Sequence, residues 1–340
     1  MLRTRFTELV GCSVPIQQAP ITMNPRLAAA VATAGGLGMV SVTFLSPDMI
    51  AALLDQLRRE TTGVWGANFI TAPETGVPIT QESIEAAAAR AKVVEFFYGD
   101  PDRSLVELVH GHGALAGWQV GSCAEAVAAT EAGCDFIVAQ GIGAGGHVRG
   151  RIGLLALLSE VLDAVPVPVL AAGGIGTGRA MAAALAAGAE GVRVGTRFIA
   201  AEEAGAHPTY VNALIAATAE DTVYTEAFSG MWPNAPHRVL RSAVEAAQAA
   251  PSEIIGEWVN EYIGARFPVH RFDAIAPLAG EATGAIEAMC LYAGESVDGV
   301  KKLQPATEIV QELAGEAEQL LRRWTPPSST AAHQMAQAGA

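Results

Sequence analysis

Eight short apolar runs alternate with helical stretches through the first part of the chain. The runs cover residues 14–19, 37–42, 64–70, 93–98, 115–120, 136–139, 167–172 and 191–194. The stretches between them are rich in alanine and leucine and repeat apolar residues at helical spacing. Strands that alternate regularly with helices predict βαβ units around a parallel sheet. Eight such units predict an α/β fold of the (β/α)8 TIM barrel type.

The competing fold is a doubly wound open sheet, which binds a dinucleotide at a glycine-rich turn after its first strand. In this chain the glycine-rich segment 34–38 precedes a predicted strand instead of following one. Gly133 and Gly188 stand where helices need a left-handed final residue, and each is followed closely by an apolar run. The barrel is therefore the predicted fold.

The pattern changes after residue 207, and this change sets the predicted domain boundaries. Residues 1–207 and 302–325 are assigned to the barrel. Residues 208–301 hold prolines and aromatic residues and are expected to form a smaller, mostly helical inserted domain over the barrel mouth. Residues 305–324 carry an amphipathic pattern that would complete the outer ring of helices. The composition of the tail, residues 326–340, predicts disorder.

Composition limits the partners of the chain. The net charge of −14 argues against nucleic acid and anionic membrane surfaces, which select basic patches. No apolar run reaches the ~18 residues of a transmembrane span, and the first residues lack a signal-peptide core, so a cytoplasmic location is expected. A hydrophobic content of 51% allows a large core and leaves a homodimer open. No histidine or cysteine pair has metal-ligand spacing, so no metal is expected.

Two glycine clusters, Gly173-Gly174 and Gly195-Thr196, follow the seventh and eighth predicted strands. Loops after these strands form the usual phosphate site of a TIM barrel, where backbone N–H groups face the anion. Glycine lets the backbone approach a phosphate closely, and the Thr196 hydroxyl adds a polar contact. A single glycine pair also serves ordinary turns, but both clusters at these two strands predict a phosphate-bearing ligand.

His147 follows a glycine-rich segment, residues 141–146, directly after the sixth predicted strand. Histidine titrates near neutrality and can take or return a proton at physiological pH. The alternative is a structural loop histidine. Because the glycines, including Gly145 and Gly146, let the loop fold tightly over a ligand, His147 is the candidate catalytic residue.

Three amide side chains lie at or near strand ends on the same face of the predicted barrel. Gln119 and Gln140 end neighbouring strands, and Asn68 lies in the third strand. Each alone is as readily a polar residue of the barrel rim. Together they suit the polar edge of an isoalloxazine ring, where donors at N1 and O2 would stabilise a reduced, anionic flavin.

With these residues in place, the sequence resembles the nitronate monooxygenase family of FMN-dependent barrel enzymes, also called 2-nitropropane dioxygenases. The segments that carry the resemblance are residues 15–21, 34–38, 140–150, 171–175, 195–198 and 292–297. The resemblance extends over most of the chain. The Gly-Gly-His element combined with both phosphate loops is specific for this superfamily, and less specific for one reaction within it.

The resemblance implies a cofactor and a set of site residues. The phosphate of FMN would lie on Gly173, Gly174, Gly195 and Thr196, and the ring near Ile21, Thr22, Met23, Asn68, Gln119 and Gln140. Gly145 and Gly146 would shape the wall beside the flavin. His147 would face the substrate, and Tyr292 would line the substrate cavity.

The implied reaction is the oxidation of an alkyl nitronate, with O2, to a carbonyl compound and nitrite. The partners would be a small nitronate or nitroalkane and oxygen. With a neutral nitroalkane, His147 would first remove the proton on the α-carbon.

Three alternatives stay open from the sequence. The chain also resembles the FMN-dependent enoyl-acyl-carrier-protein reductases and an NADH:quinone reductase of the same fold, both of which require NAD(P)H. Some relatives carry lysine where Gln119 stands and methionine where Ile21 stands. A neutral amide stabilises a reduced flavin less than an ammonium does, so the potential of the flavin and its electron donor stay open. The third alternative is a flavin-binding protein without catalysis. A purine-nucleotide dehydrogenase barrel is set aside, because the loop after the sixth strand holds histidine and glycine instead of a nucleophilic cysteine.

Overall fold

A closed ring of parallel strands forms the larger part of the molecule. The computed structural model describes residues 2–260 and 264–323. Its strands are β1 (Ile16–Gln18), β2 (Gly38–Ser41), β3 (Trp65–Ile70), β4 (Val93–Phe97), β5 (Leu115–Val120), β6 (Phe136–Gln140), β7 (Gly146–His147), β8 (Val169–Ala172), β9 (Gly191–Val194), β10 (Thr222–Thr225), β11 (His237–Leu240), β12 (Ile254–Asn260), β13 (Ala265–His270) and β14 (Ala282–Gly284). Eight of them pair in parallel in the order β1-β9-β8-β6-β5-β4-β3-β2. Leu37 closes the ring, because its N–H donates to Ile16 O at 2.9 Å and its carbonyl accepts from Gln18 N at 3.0 Å.

Helices surround these strands as the alternating pattern predicts. They are α1 (Arg5–Val10), α2 (Pro25–Thr33), α3 (Pro47–Glu60), α4 (Gln81–Ala88), α5 (Arg103–Gly111), α6 (Cys123–Ala132), α7 (Leu154–Ala164), α8 (Gly178–Ala186), α9 (Thr196–Ile199), α10 (Pro208–Ala216), α11 (Arg241–Ala249) and α12 (Ala306–Arg322). Helices α2 to α8 alternate with the barrel strands, and α12 packs against α8 and α2, so it fills the eighth position. Gly133 and Gly188, predicted to end helices, both have a φ of 105°. The predicted (β/α)8 barrel is confirmed.

The barrel interior is apolar at one end and polar at the other. At the amino ends of the strands it holds the buried residues Leu37, Met39, Val93, Phe136, Val138 and Leu170. Helix α1 closes this end, where the ring of Phe6 meets Phe136 edge to face at 5.5 Å. Nearer the carboxyl ends, the buried residues are Gln17, Asn68, Glu95, Gln119 and Arg193. The polar end is the one at which active sites of this fold are built.

The inserted segment 208–301 is not mostly helical, so that expectation was wrong. Among its described residues, two α-helices, α10 and α11, and three short 3-10 helices are accompanied by the five strands β10 to β14. Strands β10 and β11 form an antiparallel sheet with β7, and β12 pairs with β13 and β14 in a second sheet. Strands β12 and β13 are partly exposed and contain Glu257 and Pro268, which weaken the apolar alternation of a strand.

A second apolar core lies beside the barrel and is built mostly from the inserted segment. Tyr210, Phe228, Val239 and Leu291 are buried in it together with Ile199 of the short barrel helix α9. This shared core supports β11 and therefore also β7, the strand that pairs with β11 and contains His147. The domain boundaries after residue 207 and before residue 302, between the barrel and the inserted domain, stay a prediction. The predicted disordered tail, residues 326–340, lies outside the described residues.

Candidate active site

The residues predicted to bind a cofactor meet at the carboxyl end of the barrel. Gly173 and Gly174 follow β8, and Gly195 and Thr196 follow β9, which is its neighbour in the sheet. Strand β1, which precedes residues 21–23, pairs with β9 on the other side. The three amide residues come from β3, β5 and β6. Parallel pairing thus brings the whole predicted set to one face of the barrel.

The turn after β8 exposes backbone donors beside open space. Gly173 and Gly174 have φ values of 105° and 72°, a region that glycine adopts readily and other residues do not. The N–H groups of Gly174, Ile175 and Gly176 have no acceptor within the described chain. Nothing lies within 4 Å of the position that a Cβ on Gly174 would take, and a cavity of about 340 Å³ opens beside both glycines. Unpaired N–H groups next to a cavity suit a phosphate.

The glycine-rich segment before His147 packs directly on residues 293–295. A Cβ on Gly145 would stand 2.5 Å from Gly294 N and 3.0 Å from Thr196 Oγ1. The Thr196 hydroxyl oxygen accepts the Gly294 N–H at 3.0 Å, so its own proton stays free to be donated. Glu295 N donates to Gly143 O at 2.9 Å. Glycine is therefore required at position 145 by the close approach of two backbones.

Gln140 holds the loop that carries the candidate catalytic residue. Its Nε2 donates to His147 O at 2.9 Å, and its Oε1 accepts from Arg149 N at 3.4 Å. The side chain of Arg149 in turn pairs with Glu125 at 2.8 Å and with Asp100. Gln140 therefore spans the exit of the glycine-rich segment, and one N–H of its amide stays available to a ligand.

Aromatic rings enclose the imidazole of His147. Strand β7 pairs with β11, which sets His147 opposite His237. The ring of Trp232 stacks on the imidazole with 3.9 Å between centroids and 28° between planes. Tyr292 and Tyr98 lie 5.6 and 6.3 Å away. As a result, Nε2 of His147 is buried and has no hydrogen-bond partner among the described residues.

The two facing histidines differ in what their nitrogens do. Burial, and to a smaller extent the nearby His237, lower the pKa of His147 to about 3. Burial also lowers the pKa of His237, but both of its ring nitrogens are used. Its Nε2 accepts the N–H of Phe228 at 3.2 Å, so the proton is on Nδ1, which donates to Ala235 O at 2.9 Å. His147 is thus a neutral imidazole with a nitrogen to offer, whereas His237 is held structurally.

A buried ion pair lies among the predicted flavin amides, and the sequence analysis did not find it. Arg193 pairs with Glu95 at 2.6 Å, and neither side chain is more than 4% exposed. Glu95 also accepts from Asn68 Nδ2 at 3.1 Å and from Gln17 Nε2 at 2.7 Å, while Arg193 donates to Gln119 Oε1. The signal that could have revealed it is a single charged residue inside each of two apolar strands, because a buried charge needs a partner.

The residues after β1 and in the inserted segment complete the surroundings of the site. Ile21 packs against both apolar cores, and Met23 packs against the barrel core. Thr22 is buried, and its hydroxyl oxygen accepts the N–H of Asn24 at 3.0 Å. The Tyr292 hydroxyl donates to Ala274 O at 3.2 Å, and burial raises its pKa well above the usual value. Tyr292 therefore stays a neutral phenol beside the candidate catalytic residue.

Two aromatic residues of the site carried no assigned role in the sequence analysis. Trp232 is 5% exposed, and its ring lies 4.6 Å from that of Tyr98. Tyr98, the residue after β4, has a φ of 81°. A non-glycine residue in this left-handed region costs about 1–3 kcal/mol and persists where the surroundings impose it, often at functional sites. No sequence pattern signals such a conformation in advance.

The described residues contain no group of three or more histidine, cysteine or acidic side chains arranged to hold a metal ion. Among the same residues, no helix is long and apolar enough to cross a membrane.

The barrel, the glycine loops and the buried neutral histidine are the features of a flavin-dependent oxidoreductase built on a TIM barrel. The chain belongs to the nitronate monooxygenase family, whose family model, described as "Nitronate monooxygenase", matches residues 3–316. The resemblance inferred from the sequence is therefore confirmed.

Known proteins resemble this chain in sequence and in structure. A "Probable nitronate monooxygenase" of Staphylococcus aureus (strain JH9) is 30% identical over 273 residues, which are 67% of this chain and 76% of that protein. FabK from Thermotoga maritima is 29% identical with a TM-score of 0.78, covering 95% of this chain and 98% of that one. Nitroalkane oxidase from Streptomyces ansochromogenes is 28% identical with a TM-score of 0.71, covering 94% and 99%.

Proposed function

We propose that this protein oxidises alkyl nitronates with FMN and O2, giving a carbonyl compound and nitrite. The observation that carries the proposal is His147, a neutral imidazole whose buried Nε2 has no partner within the described chain. Membership in the nitronate monooxygenase family supports this reaction class. The similarity to a nitroalkane oxidase supports it from the structural side.

The proposed cofactor is FMN, and the residues present fit it. The unpaired N–H groups after Gly173, together with Gly195 and the Thr196 hydroxyl, would hold the phosphate. Asn68 and Gln119 would meet the polar edge of the ring, and residues 21–23 would border it. Gly146, with a φ of 74° and nothing within 4 Å of its missing Cβ, leaves room on the loop side. FMN, when bound, would supply the electron acceptor and the reaction with O2.

His147 would act on the substrate as an acceptor of a proton or of a hydrogen bond. The lowered pKa keeps the imidazole uncharged at physiological pH, so its lone pair is available. Protonating a buried imidazole is costly, which makes it a weak base toward a neutral nitroalkane. We therefore expect preformed nitronates to be oxidised faster than the corresponding neutral nitroalkanes.

The aromatic enclosure would decide which substrates reach His147. Trp232, Tyr98 and Tyr292 present ring faces and edges to the imidazole. Such a wall favours short alkyl groups and keeps water from the reacting carbon. The insertion at 208–301 would be the domain that covers the substrate. We also propose that the protein is located in the cytoplasm and that it forms a homodimer.

The test separates neutral from preformed substrate. FMN-loaded His147→Asn protein should oxidise neutral nitroethane more slowly than wild type by up to about 100-fold, the lower end of general base catalysis, because the lowered pKa makes His147 a weak base. Oxidation of ethyl nitronate should fall much less. Exposed His112→Asn is the matched control and should leave both rates unchanged. Equal rates of nitroethane oxidation in wild type and His147→Asn would remove the base role.

One anaerobic mixing experiment distinguishes the reductases that the sequence also resembles. Bleaching of the bound flavin by ethyl nitronate, but not by NADH or NADPH, is the expected result. Rapid bleaching by NADH or NADPH would replace the nitronate proposal with a reductase. A flavin that neither donor bleaches, in protein that consumes no oxygen with any nitronate, would indicate a binding protein without catalysis.

A further inference from the structure

We propose that Arg193 is a positioning residue for the flavin: through Glu95 and Gln119 it fixes which end of each amide side chain faces the ring. The inference rests on the proposed binding of FMN at this face of the barrel. It concerns residues outside the glycine loops and the aromatic enclosure, and it assigns a purpose to the buried ion pair.

The buried polar group spans five of the eight barrel strands. Gln17 comes from β1, Asn68 from β3, Glu95 from β4, Gln119 from β5 and Arg193 from β9. Glu95 is fully buried and accepts from Arg193, Asn68 and Gln17, with separations of 2.6, 3.1 and 2.7 Å. Arg193 bridges this carboxylate to the carbonyl oxygen of Gln119.

The chemistry of the ion pair decides how the amides are turned. A guanidinium has only donors, so Gln119 must present its carbonyl oxygen to Arg193. A carboxylate has only acceptors, so Asn68 must present its NH2 to Glu95. The opposite ends are left for a ligand: the NH2 of Gln119 as a donor and Oδ1 of Asn68 as an acceptor. The pyrimidine edge of a flavin carries both kinds of group, acceptors at N1 and O2 and a donor at N3.

The same pair also sets the charge near the ring. Some relatives carry a lysine, and so an ammonium group, where Gln119 stands. Arg193 contacts Gln119 and could supply a similar positive charge in favour of a reduced flavin. However, Glu95 compensates the charge of Arg193 at 2.6 Å. The interaction of Arg193 with the ring is therefore transmitted mainly through the orientation of Gln119. A charged pair this deeply buried is also expensive to break, so the orientation is rigid.

A double-mutant cycle on FMN binding tests this role. The variants are Arg193→Met, Gln119→Met and the double variant, with the dissociation constant of FMN measured by quenching of flavin fluorescence. Arg193→Met should weaken FMN binding about tenfold, the value of one lost hydrogen bond. In the Gln119→Met background the same change should have an effect below about twofold, because the amide on which Arg193 acts is absent.

The midpoint potential of the bound flavin provides a readout that a purely structural role would not move. If the oriented amide holds reduced FMN tenfold more tightly than oxidised FMN, Arg193→Met lowers the two-electron potential by about 30 mV. Arg193→Lys keeps the pairing charge but loses the fork that bridges Glu95 and Gln119, so it should shift the potential in the same direction. It also serves as the second variant if Arg193→Met does not fold.

Arg90→Met is the matched control, since Arg90 pairs with Asp55 at 3.2 Å away from the strand ends that form the site. It should change neither FMN affinity nor potential. Additive effects of Arg193→Met and Gln119→Met, or an unchanged potential in both Arg193 variants, would overturn the positioning role, as would wild-type protein that binds no FMN. Coupled effects in a protein that turns over no nitronate would leave this inference standing and refute the proposed reaction.

Discussion

The neutral state of His147 predicts how the stability of the protein depends on pH. In the unfolded chain a histidine takes up its proton near pH 6.5, whereas burial holds the pKa of His147 at about 3 in the folded protein. Between these values the unfolded state binds more protons than the folded state, so stability rises with pH. The stability in question is fully present above pH 6.5 and is lost as the pH falls toward 3.

The magnitude follows from the difference in pKa. One pH unit corresponds to about 1.36 kcal/mol below pH 6.5, so the drop from pH 7.5 to pH 5 removes about 2 kcal/mol through His147 alone. Any folded-state pKa below about 4 gives almost the same loss at pH 5, because the folded imidazole is then still unprotonated. His237, whose pKa is also lowered, adds to the loss in wild type and in the variant alike.

The assay is urea unfolding of wild type, His147→Asn and His112→Asn at pH 7.5 and at pH 5, followed by circular dichroism at equal FMN saturation. The free energy of unfolding of His147→Asn should fall by about 2 kcal/mol less than that of wild type between the two pH values. The exposed His112→Asn control should follow wild type. If wild type and His147→Asn lose the same stability within 0.5 kcal/mol, roughly the scatter of independent sites, the argument for a buried neutral imidazole fails.

Three further outcomes are expected. Gly174→Val places a branched side chain at a φ of 72° in the proposed phosphate turn and should abolish retention of FMN on gel filtration, whereas Gly113→Val, at a φ of 76° before β5, should retain it. Gly145→Ala brings a Cβ within 2.5 Å of a facing backbone nitrogen and should lower the melting temperature by several degrees, while Gly153→Ala, which meets nothing, should not. Trp232→Ala should raise kcat/KM for long-chain relative to short-chain nitronates, and Trp232→Phe should restore the wild-type preference.

The barrel was predictable because its signals are local. Each strand is a short apolar run, each helix a periodic one, and glycines such as Gly133 mark the boundaries between them. The glycine clusters could be assigned to strand ends for the same reason, since a barrel turns sequence order directly into position around one face. The position of His147 at this face was predictable in the same way, because it lies shortly after the sixth strand.

What could not be predicted depends on contacts between distant residues. Glu95 and Arg193 lie on β4 and β9, which are not neighbours in the sheet, so no local pattern links them. Strands β12 and β13 were missed because Glu257 and Pro268 weaken their apolar alternation, and β14 because it pairs with β12 only after a long intervening stretch. The stacking of Trp232 on His147 likewise requires the insertion to be folded against the barrel.

The short pairing between β7 and β11 makes His147 a residue of two structural units. Its position along the barrel is set by the strand that precedes it, but its backbone is aligned by the inserted segment, through the register of His147 with His237. The turn of Gly173 and Gly174 extends directly from β8, whereas Thr196, proposed to hold the phosphate with them, accepts the Gly294 N–H from the end of the inserted segment. Changes in residues 222–240, which hold Trp232 and His237, can therefore re-aim the histidine and reshape its enclosure while the turn after β8 stays as it is. Such a division would let substrate preference change through residues 222–240, while residues 293–295 stay constrained by their contacts with Thr196 and Gly145.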